Sequence, residues 1–149
     1  TTNTLINLSQ VDVVLVNGAN NEEYNRLTLS GSLNPGQYAV ISQPAVVFPQ
    51  GYLGFTLPLI LQNGAPDGVA LVNNIDNTLI DSLSYEGAIV AALITGFVDP
   101  VNLVDGTETA AVDIGTGSII RLPNGSDTGD DATDFNHSQN PTPGEPNIQ

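Results

Sequence analysis

Gly, Pro and Asn cut this sequence at intervals of about ten residues, and the runs between them are short, apolar and β-branched. No stretch carries sustained helical periodicity, so the chain is restricted to strands joined by turns, the grammar of a sandwich or barrel. Val11-Asp12-Val13-Val14-Leu15-Val16 reads as a first strand, ended by a tight hairpin turn at Asn17-Gly18. Tyr24–Leu29 alternates and stops at Ser30-Gly31. Asn34-Pro35-Gly36 then supplies the Pro and Gly of a type II turn, and Tyr38–Ile41 restarts the sheet.

Further strands are predicted at Val46–Phe48, Leu57–Leu61, Val69–Val72, Thr78–Leu83, Ala110–Ile114 and Ser118–Leu122. Within Ala88–Phe97 the apolar run Ala88–Ile94 fits a short helix or a buried strand, which periodicity does not separate over so few residues; strand or irregular structure is the expectation. Asn124–Asn140 is polar, acidic and rich in turn formers, and reads as a loop region. Pro141, Pro143 and Pro146 cannot donate to a ladder, which makes the last residues an extended closing strap. At 149 residues the chain suits one domain, able to bury roughly 68–70% of its unfolded surface without staples.

Charge narrows the partners. Sixteen acids face two bases, Arg26 and Arg121, for a formal charge of −14. Neither a nucleic-acid backbone nor an anionic membrane surface suits such a chain, because both require clusters of Lys and Arg. The apolar residues are spread over short runs, which argues against membrane insertion as a spanning helix. Self-repulsion at this charge favours a saline or calcium-containing medium. The opening Thr1-Thr2-Asn3 has the form of a mature end left by signal-peptide removal, or else of a piece cut from a larger protein. A secreted protein, extracellular or at the cell surface, is the expectation.

Motifs that carry chemistry are sparse. Asp127-Thr128-Gly129 is the aspartic-protease tripeptide, but no hydrophobic strand leads into it and no second copy follows. Asp127, Asp130, Asp131, Asp134 and Asn136 form the densest acid cluster. Four of these carboxylates, Asp127, Asp130, Asp131 and Asp134, are candidate calcium ligands, although the spacing misses the EF-hand pattern. A solvated acidic loop is the plainer reading. His137, the single histidine, lacks a nucleophile elbow and cannot build a zinc site alone. Gly115-Thr116-Gly117-Ser118 has no following Lys, so no phosphate cradle is formed. Asn7, Asn124 and Asn136 begin glycosylation acceptor triplets. Arg121 sits among alternating strand residues, where a carboxylate pair would pin the sheet. Tyr24, Tyr38, Tyr52 and Tyr85 read as core or edge anchors. An enzyme reading would need scattered acids such as Asp81, Glu86 and Asp113 to converge in one cleft. No enzyme activity is expected, and no cofactor beyond the calcium candidate.

A set of motifs in fixed order resembles a known family. Asp67-Gly68-Val69-Ala70-Leu71-Val72 is followed by Leu79-Ile80-Asp81-Ser82-Leu83-Ser84-Tyr85-Glu86-Gly87. Asp113-Ile114-Gly115, Ser118-Ile119-Ile120-Arg121-Leu122 and Thr142-Pro143-Gly144-Glu145-Pro146-Asn147 come next. Together with Val14–Gly18, Leu29–Gly31 and Pro35–Ile41, they resemble a prokaryotic lamin tail domain from about residue 8 to the end. The resemblance implies an all-β, immunoglobulin-like β-sandwich acting as an accessory or structural module on secreted proteins.

One departure has a structural meaning. Family members usually begin with an Ile-Asn-Glu type strand and a second acidic strand, and this sequence starts after both. A sheet edge or groove would then stand open as a template for another strand. Residues 1–9 are therefore expected to be a donor segment, with Thr4, Leu5, Ile6, Asn7 and Leu8 pairing with a neighbouring copy, and residues 10–149 the sandwich. Head-to-tail donation does not close on itself, so a homo-oligomer, filament or surface layer is the expected assembly. The alternatives are an accessory protein- or ligand-binding domain of a larger secreted hydrolase and a calcium-dependent adhesion module.

Overall fold

A computed structural model describes residues 4–44, 52–58, 61–112 and 114–148. Among the described residues, ten strands, a 3-10 turn at Leu8–Gln10 and one α-helical turn make up the regular structure, so the chain is all-β. In chain order the first are β1 (Ile6–Asn7), β2 (Val11–Asn17), β3 (Glu22–Thr28), β4 (Ser32–Leu33) and β5 (Ala39–Ser42). There follow β6 (Leu53–Thr56), β7 (Asp67–Asn73), β8 (Thr78–Tyr85), β9 (Ser118–Arg121), the helical turn α1 (Asp131–Asp134) and β10 (Phe135–Ser138).

The centre is a four-stranded antiparallel sheet in the order β3-β2-β7-β8. Its β2 strand does not alternate apolar and polar, because both of its faces are buried. Val14 and Val16 pack on one face with Ala70 and Val72, beneath Ile89, Ala92, Ile94 and Leu103. Val13 and Leu15 pack on the other with Leu8, Leu29 and Leu57. The first face is roofed by the irregular stretch after β8, tied down by reciprocal bonds between the backbones of Ala92 and Val101 (2.7 and 2.9 Å) and by Leu93 N–H to Asn21 O (2.7 Å). The second face is covered by small two-stranded pairings, β1 with β4 and β5 with β6, which bring Leu33, Ile41, Leu53 and Phe55 against the sheet. This layering is that of a β-sandwich. Each fully buried Val or Ile contributes roughly 1.5–3 kcal/mol.

Turn chemistry fixes the connections. Gly36 takes φ 78°, and Gln37 N–H donates to Asn34 O at 3.0 Å, as a type II turn requires. Buried Ser84 holds the next corner: its hydroxyl donates to Gly87 O (2.6 Å) and accepts from Ile89 N–H (2.9 Å), around a left-handed Glu86.

Four expectations need correction. The β2–β3 hairpin does not turn tightly at Asn17-Gly18. Asn17 pairs with Glu22, four residues make the loop, and the left-handed position is Asn21 (φ 60°). Gly18 is required for another reason: a Cβ there would lie 2.5 Å from Pro66. Of the strand expected at Leu57–Leu61, residues 59–60 lie outside the described residues and the described ones carry no strand; the strand lies earlier, at β6, where parallel pairing with β5 sets the register. Leu57 N–H makes one last bond to Ser42 O, and Pro58 follows. Ala110–Ile114 forms no strand among its described residues, because the Thr109 hydroxyl takes the Ala111 N–H that a ladder would use. The acidic run Asn124–Asn140 is not all loop: it contains α1 and β10, and β10 pairs antiparallel with β9. Val46–Phe48 lies outside the described residues.

Candidate functional site

The two cations occupy separate positions, and each organises several acids. Arg26, on β3, donates through Nε and Nη2 to both oxygens of Glu23 (2.8 Å each) and through Nη1 to Asp12 (2.8 Å). Its Nη2 also reaches Thr95 O at 3.0 Å, while Thr95 N–H donates to Glu23 at 2.9 Å. The cluster thus clips the roofing segment to the sheet. Burial pushes the Asp12 carboxyl up, but hydrogen bonds from Asn74 and Arg26 outweigh it and leave Asp12 below its ordinary value. Glu23 is lowered the same way, by Arg26 and the Thr95 backbone against its own burial. Arg26 is held firmly protonated by these partners.

Arg121, on β9, stands over the other face. Its Nη2 lies 3.2 Å from both carboxylate oxygens of Asp81 on β8. Its Nη1 donates to Ser126 O (2.9 Å) and approaches Asp134 (3.5 Å) and Asp127 (3.6 Å). The guanidinium also stacks over the Phe135 ring, 4.5 Å from its centroid. Beneath it lies an open cavity of about 280 Å³ whose lining includes Val69, Leu71, Leu83, Phe135 and the Asp81–Arg121 pair. Burial raises the Asp81 carboxyl, and the Arg121 charge offsets only part of that. An apolar floor with one charged wall suits a side chain or small amphipathic ligand.

The four calcium candidates do not form a cage. Asp130 accepts from Thr107 N–H (2.7 Å) and the Thr133 hydroxyl (2.6 Å), and Asp131 accepts from Asp105 N–H (3.0 Å). Asp134 accepts from Thr128 N–H (2.8 Å), and Asp127 from Gly129 N–H (3.2 Å). Asp131 and Asp134 are almost wholly buried. Each acid saturates backbone donors of the chain from residue 105 to 134 that no ladder serves, and among the described residues no group of three or more acids or histidine is arranged to hold a metal. Burial raises the Asp131 carboxyl, whereas bonds from Thr133 and Thr107 lower Asp130.

The remaining candidates are dispersed. Of Thr4, Leu5, Ile6, Asn7 and Leu8, β1 pairs Ile6–Asn7 with Ser32–Leu33 of its own chain, and Leu8 is buried in the second core. Leu5 and Ile6 remain exposed. Asn7 is exposed, and its Oδ1 caps the following turn by accepting from Ser9. Asn124 is exposed but its amide is engaged at both ends, with Tyr38 Oη (2.8 Å) and Asn147 N–H (2.9 Å). Asn136 is exposed on β10. His137 Nε2 bonds to Thr116 O at 2.8 Å. Asp81 serves Arg121, and Asp113 lies outside the described residues.

The longest strand, β8, is also an edge. It pairs with β7 on one side, and no further strand joins it among the described residues. Its bulge sits between the pairs Leu71–Asp81 and Val72–Leu79, leaving Ile80 unpaired and 52% exposed. Its Thr, Asp and Ser residues set it apart from the aliphatic run of β2, yet that composition alone does not say on which side a neighbouring strand is missing. The meeting of Arg121 with its acids is equally unmarked in sequence, because Asp81 on β8 and the Asp127 and Asp134 of the acidic stretch are brought to it from two distant parts of the chain.

Comparison with protein-family models, with curated proteins and with solved structures returns no match to this chain.

Proposed function

We propose that this protein is a non-catalytic, extracellular assembly module of the lamin tail type, an immunoglobulin-like β-sandwich that adds copies of itself by strand pairing. The observation that carries this reading is β8: eight residues long, with a strand paired to one side only among the described residues, and an apolar side chain displayed at its bulge. An edge of this kind offers a row of backbone donors and acceptors to another strand. It carries no Lys or Pro to discourage pairing. The segment offered in return lies within Thr4–Leu8: Leu8 is anchored in its own core and through its N–H to Gly31 O (2.9 Å), Ile6–Asn7 pair with β4, and Leu5 and Ile6 stay exposed. Donation from one copy to the edge of the next leaves the same two surfaces free at each end, so growth is linear. The high negative charge makes assembly depend on salt, which screens repulsion between copies.

Support for a non-catalytic role comes from how the reactive groups are spent. His137, Asp81, Asp127, Asp130, Asp131 and Asp134 are each bonded to backbone or to Arg121.

Sedimentation and negative-stain microscopy in moderate salt test the assembly. Linear particles are expected from the full chain, and deletion of residues 1–6, which spares the buried Leu8, should leave monomers. A monodisperse monomer from both chains overturns the reading.

The cavity beside Arg121 favours a second reading, an accessory ligand-binding domain of a larger secreted hydrolase. Isolated particles in the microscope, with no concentration dependence, favour that one.

A further inference from the structure

The sequence holds three Asn-Gly pairs, and the structure treats them differently. In such pairs the glycine nitrogen is able to attack the preceding side-chain amide. The attack needs a free asparagine side chain, room for ring closure and a base for the N–H proton. At Asn17-Gly18 the asparagine Oδ1 is held by Ala19 N–H (2.8 Å), and Gly18 N–H faces the carbonyl of Pro66 (3.0 Å), which takes no proton near neutral pH. At Asn124-Gly125 both ends of the amide are bonded. At Asn63-Gly64 the asparagine is exposed, and among the described residues no hydrogen bond holds its side chain. The space beside Gly64 is open. Gly64 N–H points at a carboxylate, donating to Asp67 Oδ2 at 3.0 Å.

We propose that Asn63-Gly64 is a self-modifying site, at which the carboxylate of Asp67 acts as general base for cyclisation of Asn63 to a succinimide. Asp67 takes the Gly64 proton through Oδ2 as the nitrogen bonds to Asn63 Cγ. The Cγ–Nδ2 bond then breaks, and the proton returns from Asp67 to the departing ammonia. Water opens the resulting imide at either carbonyl, giving aspartate or isoaspartate at position 63. Nothing is oxidised or reduced, and water is the only co-reactant.

Three features suit Asp67 to this role. Its residue is 3% exposed, which places the base in a weakly solvated setting, and its Oδ1 has no hydrogen-bond partner. Burial, and then the nearby Glu86 charge, raise its carboxyl and so make it the stronger base. The flanks are fixed: Gln62 N–H donates to Tyr24 Oη (3.2 Å), and Gly18 N–H to Pro66 O (3.0 Å), so the loop presents Gly64 to Asp67 in one position. The product adds a carboxylate beside a buried one, and the isoaspartate branch adds a methylene to the backbone, at the loop that seats the β2–β3 hairpin.

Peptide mapping by mass spectrometry of the intact folded chain, incubated at neutral pH beside the same chain unfolded in urea, tests this. General-base assistance is worth about 10²–10⁴-fold. In the folded chain Asn63 should convert about tenfold or more faster than Asn17 and Asn124, and faster than Asn63 in the unfolded chain. Asp67→Ser keeps an acceptor for Gly64 N–H but removes the base, and should bring Asn63 to the unfolded rate or below. Asn at 67 is avoided, because Gly68 would make it a fourth such pair. Slower conversion of Asn63 on folding, or an unchanged rate in folded Asp67→Ser, overturns the proposal. If that variant does not fold, the comparison of folded and unfolded wild-type chains decides alone.

Discussion

Arg121 on β9 reaches across to Asp81 on β8, with Nη2 3.2 Å from both carboxylate oxygens, while its Nη1 side faces the buried carboxylate of Asp134. One guanidinium therefore joins the β9–β10 pairing to the central sheet and neutralises an acid that is only 2% exposed. Removing it strands a buried charge, which costs more than the pair itself contributes. Arg121→Met should destabilise the fold by about 2–4 kcal/mol, discounted from the fully buried case because Asp81 is partly solvated. Urea unfolding measures it, and a loss below about 0.5 kcal/mol would mean that the acids are satisfied without Arg121.

Acid dependence follows from the shifted carboxyls. Asp12 and Glu23 have folded values below their unfolded ones, so the stability they supply is present above the unfolded value and is lost as pH falls through the folded value. Asp131 runs the other way. Its folded value lies above the ordinary 3.8, so its penalty is absent below 3.8 and grows as pH rises to the folded value. Asp131→Asn keeps an oxygen for Asp105 N–H and should raise the thermal midpoint at pH 7 while leaving it unchanged near pH 3. An equal change at both pH values contradicts this assignment.

Gly18 and Gly31 separate two reasons for glycine. An alanine at 18 meets Pro66 backbone and ring atoms at 2.5 Å, whereas at 31 it meets open space but inherits φ 78°. Gly18→Ala should cost about 2–3 kcal/mol from the clash, and Gly31→Ala about 1 kcal/mol from the backbone alone. Denaturant midpoints rank the two, and the reverse order contradicts the seating of Gly18 on Pro66.

The two-sided burial of the central sheet predicts comparable losses from its opposite faces. Leu15→Ala and Ile89→Ala should each cost about 2–5 kcal/mol. If Ile89→Ala is nearly neutral by urea unfolding, the segment over the Val14 face is not a packed layer.

Much of this fold was legible where local pattern and tertiary setting agree. Val11–Val16, Val69–Val72, Thr78–Leu83 and Ser118–Leu122 announce themselves as strands through branched residues bounded by turns, and all lie in β2, β7, β8 or β9 apart from the terminal Leu122. The continuous run of β2 is the mark of burial on both faces. What stayed hidden depends on distant partners. β10 lies in an acidic stretch, and its hydrogen bonding to β9 is not written in Phe135-Asn136-His137-Ser138 itself. The aspartates of that stretch have calcium-loop composition, yet their carboxylates face the backbone of Asp105, Thr107 and Thr128. Arg121 was legible as a sheet pin because so few cations are present, while Asp81 became its partner only through the folding of β9 over β8.

Hydrogen exchange along β8 as protein concentration rises tests the central claim most directly. If the outer side of β8 around Ile80 receives a strand from a second copy, its amides slow as the solution becomes more concentrated, and Ile80→Lys abolishes the slowing by charging the edge. Exchange rates in β8 that do not change from dilute solution to the highest concentration reached would contradict it.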